Sequence, residues 1–263
     1  MYSDKVSLDK FYTKEDIAID CINKINLTEY DLVIEPSAGS GAFFNNLYID
    51  NKIGLDLHPE SSEIIEMDWF DYQIDKKYKN VLIIGNPPFG KRNKLSQNFL
   101  KHASSFDNVK TIAFILPDVY NKHTLQKAIP TEFRLKNIIR LPKNSFEVDG
   151  VDYHVPCSFF IFDRSEGKCL RFNPMNYIDT KDWIYGTKND YDFFVMGASL
   201  KTVKEEPEET NRGYYIKVRK NISINKVKNN FINGDWNGFS SANGGVSWFT
   251  KPEVVKAYRE QYE

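Results

Sequence analysis

Short, fully apolar runs alternating with helically spaced ones outline residues 31 to 163. Asp31-Leu32-Val33-Ile34 reads as a first strand, Lys52-Ile53-Gly54-Leu55 as a second that ends at Asp56, and Val81-Leu82-Ile83-Ile84 as a third. Each run is too short for a convincing helix, and unbroken apolar stretches of this length suit parallel strands covered on both faces. Ahead of them, Ile17, Ile19, Cys21, Ile22 and Ile25 form an approximate helical face, with Thr13 as its N-cap before Glu15 and Asp16. A helical stretch is expected after the first strand, to about Leu47, and another from Lys94 to about Phe106 with Leu95, Phe99, Leu100 and Ala103 inward. Thr111 to Pro117 reads as a strand and is followed by a helix through about Ala128. Leu135–Leu141 and Pro156–Phe162 are expected to pair antiparallel as a final hairpin. Strand–helix alternation of this kind predicts an α/β, doubly wound, Rossmann-like sheet, mostly parallel with its last strand antiparallel.

Beyond about residue 164 helical periodicity fades, and Asn, Gly, Tyr and Trp become frequent. The expected division is therefore a domain over 1–163 and a small β-rich region over 164–263. In that region Glu205, Glu206, Glu208 and Glu209 mark an exposed loop. Arg212, Lys217, Arg219, Lys220, Lys226 and Lys228 then accumulate with no acid among them, interleaved with Tyr214, Tyr215 and Phe231. Cations with aromatics between them suit backbone neutralisation plus base stacking, and equally a β-rich lobe with a solvated face. A Gly/Asn-rich segment, Asn233 to Gly245, follows and contains Trp236 and Phe239.

Composition narrows the classes. With 263 residues, 41% hydrophobic and 27% charged, the chain is sized for one large domain or a domain with an appendage. A net charge of −1 confines any nucleic-acid surface to a local patch. Cys21, Cys157 and Cys169 are odd in number and lack metal-ligand spacing, and the four histidines are scattered. No metal site is expected, and the cysteine usage fits a reducing, cytoplasmic setting. No apolar run approaches the ~20 residues that would span a membrane.

The chemistry concentrates where the third strand ends. Asn86-Pro87-Pro88-Phe89-Gly90 follows Val81–Ile84 after one glycine, Gly85, so two prolines stop the strand and fix an amide at its carboxyl end, where open α/β sheets hold ligands. The Asn86 side-chain oxygen and the Pro87 carbonyl are both acceptors. Together they suit an amino nitrogen conjugated to a ring: taking its two protons frees the lone pair, while Phe89 stacks on the ring. An ordinary Pro-rich turn would look the same in isolation.

The first strand runs into Glu35-Pro36-Ser37-Ala38-Gly39-Ser40-Gly41, where Gly39 and Gly41 permit positive φ and close approach of a ligand. The third glycine of the dinucleotide fingerprint and the Lys-Ser/Thr of a P-loop are missing, so pyrophosphate is not the expected ligand. Asp56 lies at the offset from the glycine loop at which a carboxylate reaches a ribose diol, and Leu57 follows it. Asp68 is placed to accept from an adenine amino group, with Trp69 lining the ring's pocket. Lys91 and Arg92, with Lys94, give a positive rim just past the motif, suited to phosphates or simply a solvated loop.

EPSAGSGAF, NPPF and FYTKEDIA, in this chain's arrangement, resemble the S-adenosylmethionine-dependent adenine-N6 nucleic-acid methyltransferases, over roughly residues 11–163. The resemblance implies that Glu35 to Gly41 surround the methionine moiety, that Asp56 holds the ribose hydroxyls and that Asp68 contacts the donor's adenine. It also implies that Tyr12 and Thr13 touch the methionine end, that Asn86, Pro87 and Phe89 position the target adenine, and that recognition of the nucleic acid lies toward the C-terminus. Lys14 stands where that family commonly has proline. DNA is the preferred substrate, reached by base flipping. RNA is the alternative, because ~100 C-terminal residues are few for reading a duplex. Glutamine methylation of release factors, which also uses Asn-Pro-Pro, ranks lower because that family resemblance carries Tyr at the Phe89 position and a preceding helical domain. An inactive nucleic-acid-binding module ranks lowest.

Overall fold

The computed structural model describes residues 11–236 and 248–263, so Phe239 and most of the Gly/Asn-rich segment lie outside the described residues. In chain order the elements are β1 (Tyr12–Thr13), α1 (Glu15–Ile22), β2 (Leu32–Glu35), β3 (Lys52–Asp56), β4 (Ile65–Glu66), β5 (Val81–Gly85), α2 (Lys94–Ser104), β6 (Val109–Pro117) and α3 (His123–Gln126). They continue with β7 (Arg134–Arg140), β8 (Phe146–Val148), β9 (Val151–Tyr153), β10 (Cys157–Asp163), β11 (Trp183–Tyr185), β12 (Phe193–Met196), β13 (Ser199–Lys204), β14 (Gly213–Val218), α4 (Ile224–Asn233) and α5 (Lys251–Tyr262).

Seven strands form one sheet in the order β4-β3-β2-β5-β6-β10-β7. Strands β4 through β6 are parallel, while β10 runs antiparallel to both β6 and β7. The expected final pair forms, with the later strand inserted inside the sheet and the earlier one left at its edge. Strand alternation divides the side chains between two layers. Leu32, Ile34, Ile83 and Phe114 face the side packed by Phe99, Leu100 and Ala103 of α2. Val33, Leu82, Ile84 and Ile115 face the side packed by Ile17, Ala18 and Cys21 of α1. Each fully buried Val, Leu or Ile stabilises by about 1.5–3 kcal/mol, which is why central strands with apolar residues on both faces are stable here. Among the described residues no helix is long and apolar enough to cross a membrane.

Three local expectations are corrected. Thr13 is not the cap of α1: it lies in β1, and Lys14 takes the N-cap position without a side-chain cap bond. No α-helix follows the glycine loop; Phe44–Asn46 make a single 3₁₀ turn. Phe43 packs against the α1 side of the sheet while Phe44 packs with Ala38 and Ile64, so the two adjacent rings go to different clusters. Phe43, Phe44, Asn46 and Leu47 are all buried. Third, α3 is one turn only.

A hairpin that the sequence reading passed over, β8–β9, lies between β7 and β10 and pairs with β1, Tyr12 opposite Glu147 and Thr13 opposite Phe146. Its turn is Asp149-Gly150, both at positive φ.

Compact units divide after Arg171, not at 163/164. Residues 164–171 are tied to the first unit because Arg134 pairs with Glu166 at 2.6 Å, and Arg171 donates to the Ile129 and Pro130 carbonyls at 2.8 Å. The second unit holds a four-stranded antiparallel sheet, β11-β14-β12-β13, with α4 and α5. Both helices correct the expectation that helical character ends near 164. α4 buries only Val227 and Phe231, so its pattern is faint among Asn and Lys. α5 buries Val254, Val255, Ala257 and Tyr258.

Candidate active site

A cavity opens at the carboxyl ends of β2, β3 and β5, entirely within the first unit. Its floor is the glycine loop. Gly39 has φ +51°, and a Cβ there would meet the Tyr12 ring at 3.2 Å, so a side chain at this position is strained by conformation and would crowd that ring. Gly41, at φ +89°, does not line the cavity; it makes the turn, donating to the Ala38 carbonyl at 2.7 Å. Glu35, Pro36, Ser37 and Ala38 do line it. Glu35 is fully buried and accepts from the Phe44 amide at 2.7 Å. Burial holds its carboxyl well above the usual glutamate range, against the opposing pull of that amide.

Asp56 closes the loop from the β3 side. One oxygen accepts from the Gly39 amide at 2.8 Å and the other from the His58 amide at 2.9 Å. Leu57 lies beside it at the cavity wall, half exposed. Asp68 lines the cavity and accepts from the Phe70 amide at 2.9 Å, capping a 3₁₀ turn. Trp69 borders the cavity, yet it is 2% exposed and packed edge-on against His102, which makes it chiefly a core residue.

At the end of β5 the Ser37 hydroxyl donates to the Asn86 carbonyl at 3.3 Å, joining the two loops. The Asn86 side-chain oxygen is buried and has no hydrogen-bond partner, and the same holds for the Thr13 hydroxyl across the cavity lining. A buried acceptor without a donor costs roughly 1–3 kcal/mol, a cost that a bound donor group would remove. Pro87 and Pro88 also line the cavity, and the Pro87 carbonyl accepts no hydrogen bond among the described residues. Phe89 departs from expectation. Its ring is 7% exposed, packs edge-on against Phe11 at 5.1 Å and does not line the cavity, so no open stacking face is present at Phe89.

Tyr12 and Thr13 are brought to the cavity by β1. The Tyr12 hydroxyl donates to Glu60 at 2.5 Å, and that bond, with burial and the Glu60 charge, pushes the phenol up to about 12. Lys14, the departure noted in the sequence, bonds Asp152 at 2.6 Å and so ties β1 to the β8–β9 hairpin. Sequence reasoning missed Phe11, Met67, Leu95 and Phe99 as lining residues. Leu95 and Phe99 were legible only as the inner face of α2.

The cations sort into two groups. Lys91, Arg92 and Lys94 are exposed and have no acidic partner among the described residues; Arg92 and Asn93 both adopt positive φ. In the second unit Lys217 pairs with Asp190 at 2.8 Å, Arg219 with Asp179 at 2.6 Å, Lys226 with Asp182 at 3.2 Å and Lys228 with Glu205 at 2.5 Å. The run without acids in the sequence is therefore neutralised largely by acids from elsewhere, and Arg212 and Lys220 are left without an ion pair among the described residues. Also among those residues, no group of three or more His, Cys, Asp or Glu side chains is placed to hold a metal ion.

Sheet order and cavity position define an open α/β, Rossmann-like fold with its cavity at the carboxyl ends of the parallel strands. No protein-family model matches the chain, and no curated protein sequence does. Among solved structures it is similar to a modification subunit of a putative type I restriction enzyme from Vibrio vulnificus (16% identity, TM-score 0.43, covering 67% of this chain and 46% of that one). It is also similar to the 23S rRNA methyltransferase ErmE (9%, 0.49, 64% and 75%) and to a putative RNA methyltransferase from Pyrococcus horikoshii (17%, 0.39, 62% and 91%). The chain spans 42% and 46% of two type I restriction-modification chains that it is similar to. All these overlaps are partial and remote.

Proposed function

We propose that the chain is an S-adenosylmethionine-dependent methyltransferase that modifies the exocyclic amino nitrogen of adenine in DNA. The observation that carries this reading is the buried, partnerless side-chain oxygen of Asn86 on a cavity that also holds Asp56 and the Gly39 turn. The residues present fit the donor. Asp56 offers free lone pairs to a ribose diol, Thr13 an unpaired hydroxyl to the methionine end, and Leu57, Met67 and Phe99 an apolar wall to a purine. Once bound, the donor supplies an electrophilic methyl group on sulfur.

Asn86 Oδ1 and the Pro87 carbonyl accept hydrogen bonds from the two amino N–H groups of the target base, shifting that nitrogen toward tetrahedral geometry so that its lone pair is available. The donor, held by Asp56 and Thr13, would supply the methyl group to that lone pair, and the surplus amino proton, which neither oxygen takes, would pass to solvent. The prolines hold both acceptors still, so positioning and exclusion of water do most of the catalytic work. Since Phe11 covers Phe89 here, stacking of the target on Phe89 requires Phe11 to move.

RNA is the second reading, supported by the ion pairs that engage four of the six cations between Arg212 and Lys228, so that this stretch offers a duplex backbone fewer free charges than its sequence suggests. The test is transfer of labelled methyl from S-adenosylmethionine to unmethylated DNA and to RNA side by side, followed by mapping of the modified base. N6-methyladenine in DNA is the expected product. N6-methyladenine only in RNA selects the second reading, and label on neither polymer ends both.

A further inference from the structure

Tyr153 of β9 and Phe146 of β8 meet Phe11, just ahead of β1, in a series of rings that runs from solvent to the cavity. Tyr153 stacks on Phe11 with centroids 5.8 Å apart and 29° between planes. Phe11 lines the cavity and meets Phe89 and Phe146 edge-on, each at 5.1 Å. The outer end of this series is open. Tyr153 is 46% exposed, and Val151, two residues away and so on the same face of β9, is 68% exposed.

We infer that Tyr153, flanked by Val151, is a stacking surface for the nucleobase next to the one presented to Asn86. This deepens the adenine-N6 reading and rests on it. Continuity of the rings with the cavity places the surface beside the target. Charge then decides which part of the polymer it takes. Glu147, Asp149 and Asp152 all belong to this hairpin, and Lys14 pairs only with Asp152, so a backbone phosphate is repelled there. A base has a π face regardless of sequence, and aromatic stacking needs no counter-charge. Backbone phosphates are left to the unpaired Lys91, Arg92 and Lys94.

The experiment uses the full chain and an oligonucleotide of whichever polymer is labelled in the transfer assay, with its target adenine mapped. Versions carrying an abasic nucleotide on either side of the target are compared by fluorescence anisotropy. Tyr153→Ala is expected to weaken binding about tenfold, the scale of one lost base stack, and Tyr153→Phe to bind as wild type. An abasic nucleotide on one side weakens the wild type by the same factor and leaves Tyr153→Ala unchanged. S-adenosylmethionine affinity, measured by calorimetry, stays the same in all three proteins. The inference is overturned if Tyr153→Ala binds the oligonucleotide like wild type, or if abasic penalties are equal in both proteins. A tenfold loss of donor affinity in Tyr153→Ala also overturns it, because the ring then serves only to pack β1. Label on no polymer removes the methyltransferase reading and this role with it; normal methylation with an inert Tyr153→Ala removes this role alone.

Discussion

The cavity of the first unit and the basic stretch of the second handle polar groups in opposite ways. At the cavity, Asn86 and Thr13 keep buried oxygens without partners, and nearby Lys91, Arg92 and Lys94 keep exposed charges without counter-ions. In the second unit, four of the cations that looked available are matched to carboxylates within 3.2 Å. A satisfied group has little to offer a ligand, whereas an unsatisfied one gains from binding. Residue type alone does not separate these cases; the partner does.

The sharpest way to break this contrast is Asn86→Ala. Transfer is expected to fall about 10²–10³-fold, the scale of losing one hydrogen-bonding group that acts on the reacting centre, with donor affinity within threefold of wild type. Equal transfer rates in single-turnover assays would remove Asn86 from the chemistry.

Next in size is a paired comparison of cations. Lys91→Ala with Arg92→Ala should weaken polymer binding and flatten its salt dependence, the log–log slope falling by about one for each phosphate no longer neutralised. Lys217→Ala with Arg219→Ala should leave that slope unchanged and shift the melting temperature little, since exposed ion pairs contribute little stability. A slope that responds instead to the second pair would reverse the assignment.

The smallest effect concerns Glu35. Burial raises its folded-state value above the ordinary glutamate value of 4.5, so the folded chain holds that proton more tightly than the unfolded chain. Its contribution is present below pH 4.5 and is lost as pH rises through the raised value. Glu35→Gln, which cannot ionise, should therefore gain melting temperature relative to wild type as pH is raised from 4.5 to 8. A constant offset across that range would mean that the carboxyl does not titrate differently on folding.

Much of the first unit was legible because its strands are bounded by prolines and glycines, the residues with the most distinctive backbone preferences. Val81–Ile84 ends in two prolines, and β2 ends in a loop whose glycines do take positive φ. Position at strand ends, spacing and donor–acceptor character were enough to bring Asp56, Gly39 and Asn86 to one cavity. Phe89 was not legible, because its orientation depends on Phe11 and Phe146, which are far apart in the chain. Other misses had signals. Asp149-Gly150 between the alternating Phe146-Glu147-Val148 and Val151-Asp152-Tyr153 is a strong short-range hairpin pattern. Thr250 followed three residues later by Glu253 announces α5, where the Glu253 carboxylate accepts from the Thr250 amide at 2.7 Å. By contrast, the cation partners come from sequence-distant segments, and no local pattern names them.

Pairing of β1 with β8 has a consequence for biogenesis. Tyr12 and Thr13 leave the ribosome well ahead of the strand that receives them, since Phe146–Val148 is synthesised more than a hundred residues later. A nascent chain released before the hairpin is made would carry the glycine loop and the Asn-Pro-Pro motif but no strand to hold the Tyr12–Thr13 segment in place. Completion of the cavity wall thus waits on translation of the hairpin, and the two ends of this clamp find each other only after the strands between them exist.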